Sequence, residues 1–246
     1  MKGVILAGGL GTRLYPMTKV VNKHLIPIYH LPLIYYPLRI LVDAGIKDIL
    51  IVTGGQHVEG FLCLLGSGRE FGLDSLNYIY QEQEGGIAEA LGLARNFVGE
   101  DRMCVVLGDN IIEKNIEWIK IQYEAQISGA RVVLKEVTDP TRFGIAELEC
   151  GKVKRIEEKP KEPKTNLAVI GIYFYDNQVW DIIDNLDRGP RGELEITDVN
   201  NEYIRRGGQL EYSILDGWWI DAGTIPSLYK ASTIIEGYEK AKGRVS

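Results

Sequence analysis

With 246 residues, 45% hydrophobic and 25% charged, the chain is long enough to bury a full core as one large α/β unit. A net charge of −6 argues against a general nucleic-acid binder. The three cysteines, Cys63, Cys104 and Cys150, are far apart and form no CxxC pair, so they suggest neither a disulfide framework nor a cysteine-held metal, and a reducing cytoplasm fits best.

Gly3 to Ala7 is a short β-branched apolar run that ends in glycines and reads as a buried strand. It is too short for a signal peptide or a membrane span, and no later stretch reaches that length. Leu33 to Ala44 predicts a helix stopped by Gly45, Asp48 to Thr53 a buried strand, and His57 to Leu65 a second helix. Leu76 to Gln81 reads as a strand and Ile87 to Phe97 as a helix. Met103 to Leu107 reads as a third buried strand that runs into Gly108-Asp109-Asn110. This alternation predicts parallel βαβ units with helices on both faces of the sheet.

The second half has a different rhythm. Ala130 to Val137, Ile145 to Leu148, Val153 to Glu157 and Ala168 to Tyr175 are strand-like with little helix between them. They predict antiparallel or mixed additions to the same sheet. Helices return at Val179 to Asn185, Ile196 to Arg206 and Ile225 to Lys242, while Gly66 to Gly72 and Lys159 to Lys164 read as loops. The fold class expected is α/β: a Rossmann-like mixed, mainly parallel sheet flanked by helices, with antiparallel strands added in the second half.

Charge is unevenly spread. Met1 to Val42 contains no Asp or Glu, yet holds Lys2, Arg13, Lys19, Lys23 and Arg39, which suits a small anionic ligand as well as it suits chance clustering. Within that stretch lies Gly8-Gly9-Leu10-Gly11-Thr12-Arg13, directly after the first strand. Glycines let backbone amides approach a phosphate, and Arg13 adds a permanent charge. A dinucleotide fingerprint would need a third glycine opening a helix, and a Walker loop would need Gly-Lys-Ser/Thr; neither is present. On spacing alone a structural turn is as good a reading as a phosphate cradle, and Arg13 with the acid-free segment tips the balance to phosphate.

Asp109 follows the third strand, where open α/β sheets bind ligands. Asp221, in WWIDAGT, reads on its own as a turn aspartate, although two such carboxylates brought together in space suit a hard cation. His24, His30 and His57 lack metal-ligand spacing and read as non-catalytic, and Trp218-Trp219 reads as packing.

The segments GGLGTRLYPMT, NKHLIP, LGDN, EEKPKEPK, GIYFYD, RGELEITDVN and WWIDAGT occur in that order over nearly the whole chain. Together they resemble the glucose-1-phosphate thymidylyltransferases, a branch of the sugar-phosphate nucleotidylyltransferases. The resemblance implies a single domain over residues 1–246, with a nucleotide-binding half of about 1–125 and a sugar-phosphate-binding half of about 126–246. It implies dTTP and glucose 1-phosphate as substrates, Mg2+ as cofactor, a role in nucleotide-sugar biosynthesis, and a homo-oligomer in the cytoplasm. Matched position by position, Leu6, Gly8, Gly9, Gly11, Thr12 and Arg13 hold the triphosphate, and Lys23 assists them. Gln81 and Gly86 meet the base, and Asp109 and Asp221 hold the metal. Asn110, Gly144, Glu158 and Val169 surround the sugar, while Lys159 and Arg191 meet its phosphate. Arg13, Lys23, Lys159 and Arg191 are therefore the expected catalytic cations.

Two departures stand out. His24 occupies a place where the family often has Gln, as in a short-chain subgroup. Ile170 replaces a common Thr before the glycine of GIYFYD, and is expected to alter the polarity of the sugar pocket. Longer relatives carry a helical tail associated with a second, regulatory nucleotide site, and this sequence stops soon after its last predicted helix. A uridylyltransferase of the same chemistry and a non-catalytic nucleotide-sugar-binding subunit remain the alternative readings.

Overall fold

A computed structural model describes residues 1–189, 191–207, 209–241 and 243. The first half runs β1 (Lys2–Ala7), β2 (Pro27–Ile28), β3 (Leu31–Pro32), α1 (Tyr35–Asp43), β4 (Asp48–Gly54), α2 (Glu59–Leu65), β5 (Ser75–Gln81), α3 (Ile87–Gly92), α4 (Arg95–Val98), β6 (Met103–Leu107), β7 (Asn110–Ile112) and α5 (Glu117–Glu124). The second half runs β8 (Ala130–Glu136), β9 (Gly144–Glu149), β10 (Lys152–Glu158), β11 (Leu167–Tyr175), α6 (Gln178–Asp184), α7 (Ile196–Arg205), β12 (Leu210–Ile214), β13 (Trp219–Asp221) and α8 (Ile225–Ala241). Lys242, the last residue of the expected final helix, lies outside the described residues.

Nine strands form one mixed sheet. β5, β4, β1 and β6 lie side by side and parallel, and β11 pairs antiparallel with β6. β11 also pairs antiparallel with β8 and β9, β10 closes on β9, and β12 runs parallel to β8. The expected α/β fold class is what is observed.

The central strands are apolar on both faces because both faces are covered. Val4, Leu6, Leu50, Val52 and Val105 pack into one core, while Ile5, Ala7, Ile49, Ile51 and Val106 pack into the other. The same alternation runs through β11: Val169, Tyr173 and Tyr175 belong to the first core, and Ile170, Ile172 and Phe174 to the second. Each large side chain buried in this way contributes about 1.5–3 kcal/mol.

Several expectations change. The helix expected over Ile87 to Phe97 is two helices, interrupted after Gly92. Glycine inside a helix costs about 1 kcal/mol relative to alanine, which makes that position a natural break. The helix expected from His57 starts at Glu59, and His57 itself has φ 60°. α5, β7, β12 and β13 were not expected. α5 buries only Ile119 and Tyr123, and β7 and β13 have three residues each, too few to show a period. The expectation for Ile170 is overturned: its side chain is fully buried in the second core and not in the pocket, because adjacent residues of a strand face opposite ways.

Candidate active site

The carboxyl ends of β1 and β6 open into a loop region that the glycines shape. Gly9 and Gly11 take φ 93° and 64°, values that carry little cost only without a side chain. A Cβ on Gly8 would come within 2.6 Å of Gln81 Oε1, so the bare backbone admits Gln81 from the end of β5. The Leu10 N–H donates to Glu84 Oε1 at 2.5 Å.

Lys23 sits on a single 3-10 turn, Lys23–Leu25, whose preceding residue Asn22 accepts the His24 N–H. The Asn22 amide donates to the carbonyls of Gly54 and Gln56 at 3.0 and 3.1 Å, tying the turn to the end of β4. This places Lys23 Nζ 3.1 Å from Asp109 Oδ2. Burial alone would raise the Asp109 carboxyl, but the adjacent Lys23 charge holds it below the usual range. His24 is fully buried, and burial, with Lys23 beside it, drives its imidazole well below the ordinary value. It is neutral and makes no contact that fits proton transfer.

Asp221 reaches Asp109 through a short ladder. β13 pairs antiparallel with β7, with Asp221 opposite Asn110, and the Ala222 N–H donates to the Asp109 carbonyl at 2.8 Å. Its Oδ1 accepts the Gly223 N–H at 3.1 Å, and its Oδ2 lies 3.4 Å from Arg142 Nη2. Burial, then the Asp109 charge, push the Asp221 carboxyl upward, against the pull of Arg13, Lys23 and Arg142. Two acidic groups that repel one another in a buried site suit a divalent cation. Among the described residues no group of three or more His, Cys, Asp or Glu is arranged to hold a metal.

The second half of the chain supplies the opposite wall. Glu158 ends β10 and accepts the Thr197 hydroxyl at 2.7 Å. Lys159 follows with φ 44°, a left-handed conformation uncommon outside glycine, and its N–H donates to the Phe143 carbonyl at 3.0 Å. Its Nζ lies 3.1 Å from Glu158 Oε1. Arg191 lies 2.6 Å from Glu195 Oε1 and 3.5 Å from Glu158 Oε1. The loop that carries it is clasped to the segment before α3: Leu194 N–H donates to the Gly85 carbonyl at 2.8 Å, and Ala88 N–H to the Leu194 carbonyl at 3.1 Å. Gly86, at φ 103°, lies against the Leu194 backbone so closely that no side chain fits there.

Two adjoining cavities result, about 510 and 380 Å³, and they share Arg13, Asp109, Glu158 and Lys159. Leu6, Gly8, Gly9, Lys23, Gln81, Gly86 and Arg191 line the smaller one. Asn110, Gly144, Val169 and Asp221 line the larger. Of the expected site residues, Gly11 and Thr12 line neither. A Cβ on Gly11 would press to 2.9 Å of Thr18 and 3.0 Å of Lys23, so this glycine shapes the loop behind Lys23.

The cavities also contain residues that motif reading passed over: Arg142, Phe143, Gly171, Tyr173, Thr197 and Trp219 on the larger, and Glu84 on the smaller. Gly171 and Tyr173 were accessible through strand alternation from Val169. Trp219 lines the pocket and donates to Asn110 Oδ1 at 2.5 Å, whereas Trp218 packs at a tilt against Tyr238 and donates its indole N–H to the Tyr238 hydroxyl at 3.0 Å. Arg142 and Thr197 carry no sequence signal of their own. Among the described residues no helix is long and apolar enough to cross a membrane.

The nucleotidyl transferase family model matches residues 2–237. A glucose-1-phosphate thymidylyltransferase of Neisseria meningitidis is 45% identical over 96% of this chain and 83% of its own length. Its counterpart in Mycolicibacterium smegmatis is 42% identical over 99% and 85%. A Bacillus anthracis crystal structure with sucrose, assigned to the same enzyme, superposes with a TM-score of 0.91 at 51% identity, covering 95% of this chain and 94% of that one. UDP-glucose pyrophosphorylase with UDP-glucose shares the fold, with a TM-score of 0.84 at 24% identity over 96% and 98% of the two chains. The chain belongs to the nucleotidyl transferase family, in its glucose-1-phosphate thymidylyltransferase branch.

Proposed function

We infer that this protein transfers a thymidylyl group from dTTP to glucose 1-phosphate, giving dTDP-glucose and pyrophosphate. The observation that carries the reading is the pair of adjoining cavities. One lies against the glycine loop, Lys23 and Gln81, the other against Asn110, Gly144 and Val169, and both share Arg13, Asp109 and Lys159. Such an arrangement suits the joining of two polyanions.

The reaction needs no general base. A phosphate monoester has a second pKa of about 6, so the sugar phosphate arrives ionised. One of its oxygens bonds to the α-phosphorus, the bridge to the β-phosphorus breaks, and pyrophosphate leaves with the electron pair. What the chain supplies is alignment and charge relief. Arg13, Lys23 and the amides of the Gly8–Arg13 loop hold the triphosphate, with Gln81 and Gly86 at the base. Lys159 and Arg191 hold the nucleophilic phosphate, and Asn110, Gly144, Glu158 and Val169 surround the sugar. For both cations, phosphate replaces the carboxylates that pair with them here. Asp109 and Asp221 fit Mg2+, which when bound supplies Lewis-acid relief of phosphate charge.

We read the chain as a single catalytic unit, nucleotide side first and sugar side second, working as a cytoplasmic homo-oligomer. Pyrophosphate release measured over a grid of nucleoside triphosphates and sugar 1-phosphates tests the function. The highest kcat/KM is expected for dTTP with glucose 1-phosphate, and a clear preference for ATP or UTP refutes the assignment.

A further inference from the structure

The two carboxylates at the centre of the site carry different counter-ions. Lys23 meets Asp109 at 3.1 Å with both side chains well covered, 16% and 13% exposed. Arg142 meets Asp221 at a looser 3.4 Å, and its side chain is 40% exposed against 19% for the aspartate. The first pair is anchored from behind by Asn22. The second hangs from the single 3-10 turn Pro140–Arg142, in the loop between β8 and β9.

We propose that Arg142 is a resident counter-ion of Asp221, which occupies the cation position until a divalent ion replaces it. Four observations support this. Among the described residues, Arg142 makes the ion pair on Asp221 within 4 Å. It borders only the larger of the two cavities, which Arg191 does not line, although Arg13 of the glycine loop does. It has a second resting surface, the Phe143 ring 5.3 Å from its guanidinium carbon, which is itself held edge-on against Trp219. The ion pair is also exposed enough to exchange without large cost. The consequence is that a bare divalent ion competes with a tethered guanidinium, whereas an ion arriving on a triphosphate brings its own anions and does not depend on Asp221 alone. The free enzyme therefore takes metal weakly, and takes it mainly together with nucleotide.

This proposal rests on the reading of Asp221 as a metal carboxylate, and the test separates the two. Mn2+ binding to the substrate-free protein is measured from the electron paramagnetic resonance of unbound Mn2+, for wild type, Arg142→Gln, Arg142→Lys and Asp221→Asn, each checked for folding by circular dichroism. Arg142→Gln is expected to bind Mn2+ about two- to five-fold more tightly than wild type, the range set by the small worth of a half-exposed ion pair. Arg142→Lys, which keeps the charge, is expected to stay near wild type, and Asp221→Asn to lose affinity. Unchanged or weaker Mn2+ binding in Arg142→Gln, with affinity lost in Asp221→Asn, overturns the counter-ion and leaves the metal site standing. Unchanged binding in Asp221→Asn overturns both. A selective rise in KM for glucose 1-phosphate in Arg142→Gln, at unchanged Mn2+ affinity, makes Arg142 a substrate cation and also overturns the proposal.

Discussion

The two sides of the site are built differently. On the parallel side, functional groups sit on loops whose shape the backbone dictates: glycines at positive φ, a turn held by Asn22, and a covered Lys23–Asp109 pair. On the antiparallel side, Lys159, Arg191 and Arg142 reach in from more open loops, and each is paired with a carboxylate: Glu158, Glu195 and Asp221. The first side is pre-organised. On the proposed function, the second exchanges partners when a phosphate or a metal arrives. The difference lies in the cations: Lys23 is 16% exposed, whereas Arg142, Arg191 and Lys159 are 40%, 45% and 46% exposed, so their heads are free to turn to another anion.

The largest effects should come from the residues at the seam. Asp109→Asn and Asp221→Asn keep the shape and remove charge from a hard-cation site. Each is expected to lower kcat/KM by roughly 10²–10⁴, in line with the several kcal/mol a bound metal supplies to charge stabilisation. Circular dichroism should report an intact fold. Near-normal turnover of Asp221→Asn at limiting Mg2+ would return that residue to an ordinary turn aspartate.

Next come the two cations that stand for the two sides. Arg13→Ala should impair dTTP use and kcat, and Lys159→Ala should weaken glucose 1-phosphate binding and turnover, each by about 2–5 kcal/mol. Calorimetric titration with dTTP alone distinguishes them: Lys159→Ala should bind dTTP nearly as wild type does. Equal losses of dTTP affinity in the two variants would merge the sides into one shared phosphate site.

A smaller effect tests the clasp that joins the sides. Gly86 has φ 103° and lies against the Leu194 backbone. Gly86→Ala strains a glycine-only conformation by about 1–3 kcal/mol and forces the Leu194 backbone, against which the added Cβ presses, to move, so this is a lower bound. At about 2–4 °C per kcal/mol for a chain of this size, Tm should fall by roughly 2–12 °C or more. The KM values for both substrates should rise together, because Arg191 and the base segment move as one. A rise in only the dTTP KM would show that the clasp does not couple them.

The smallest effect concerns base choice. dTTP differs from UTP by the base methyl, typically worth about 1–3 kcal/mol, and by lacking the ribose 2′-hydroxyl. UTP is therefore expected as a weaker but measurable substrate in competition assays, and complete exclusion of UTP would point to a steric or polar filter not described above.

Much of this was legible in the sequence, for identifiable reasons. The runs Gly3 to Ala7, Ile49 to Val52 and Met103 to Leu107 are apolar throughout because strands covered on both faces leave no place for polar residues. The glycine loop announces itself because positive φ and close approach demand glycine. Asp109 is identifiable because it follows a buried strand directly. Asp221 is identifiable only through the resemblance of WWIDAGT, since its meeting with Asp109 depends on two three-residue strands with no readable period. Ile170 was misplaced for want of the register of β11, which turns Val169, Gly171 and Tyr173 to the pocket and Ile170 to the core. Arg142 gives no signal in the chain at all, because its chemistry lies in a contact across the fold. Local pattern determined the strands, the loop and the first carboxylate, since each is a property of neighbouring residues. The second carboxylate, its counter-ion and the clasp through Leu194 were decided only by tertiary structure, because pairings between distant segments are set by the packing of the whole sheet.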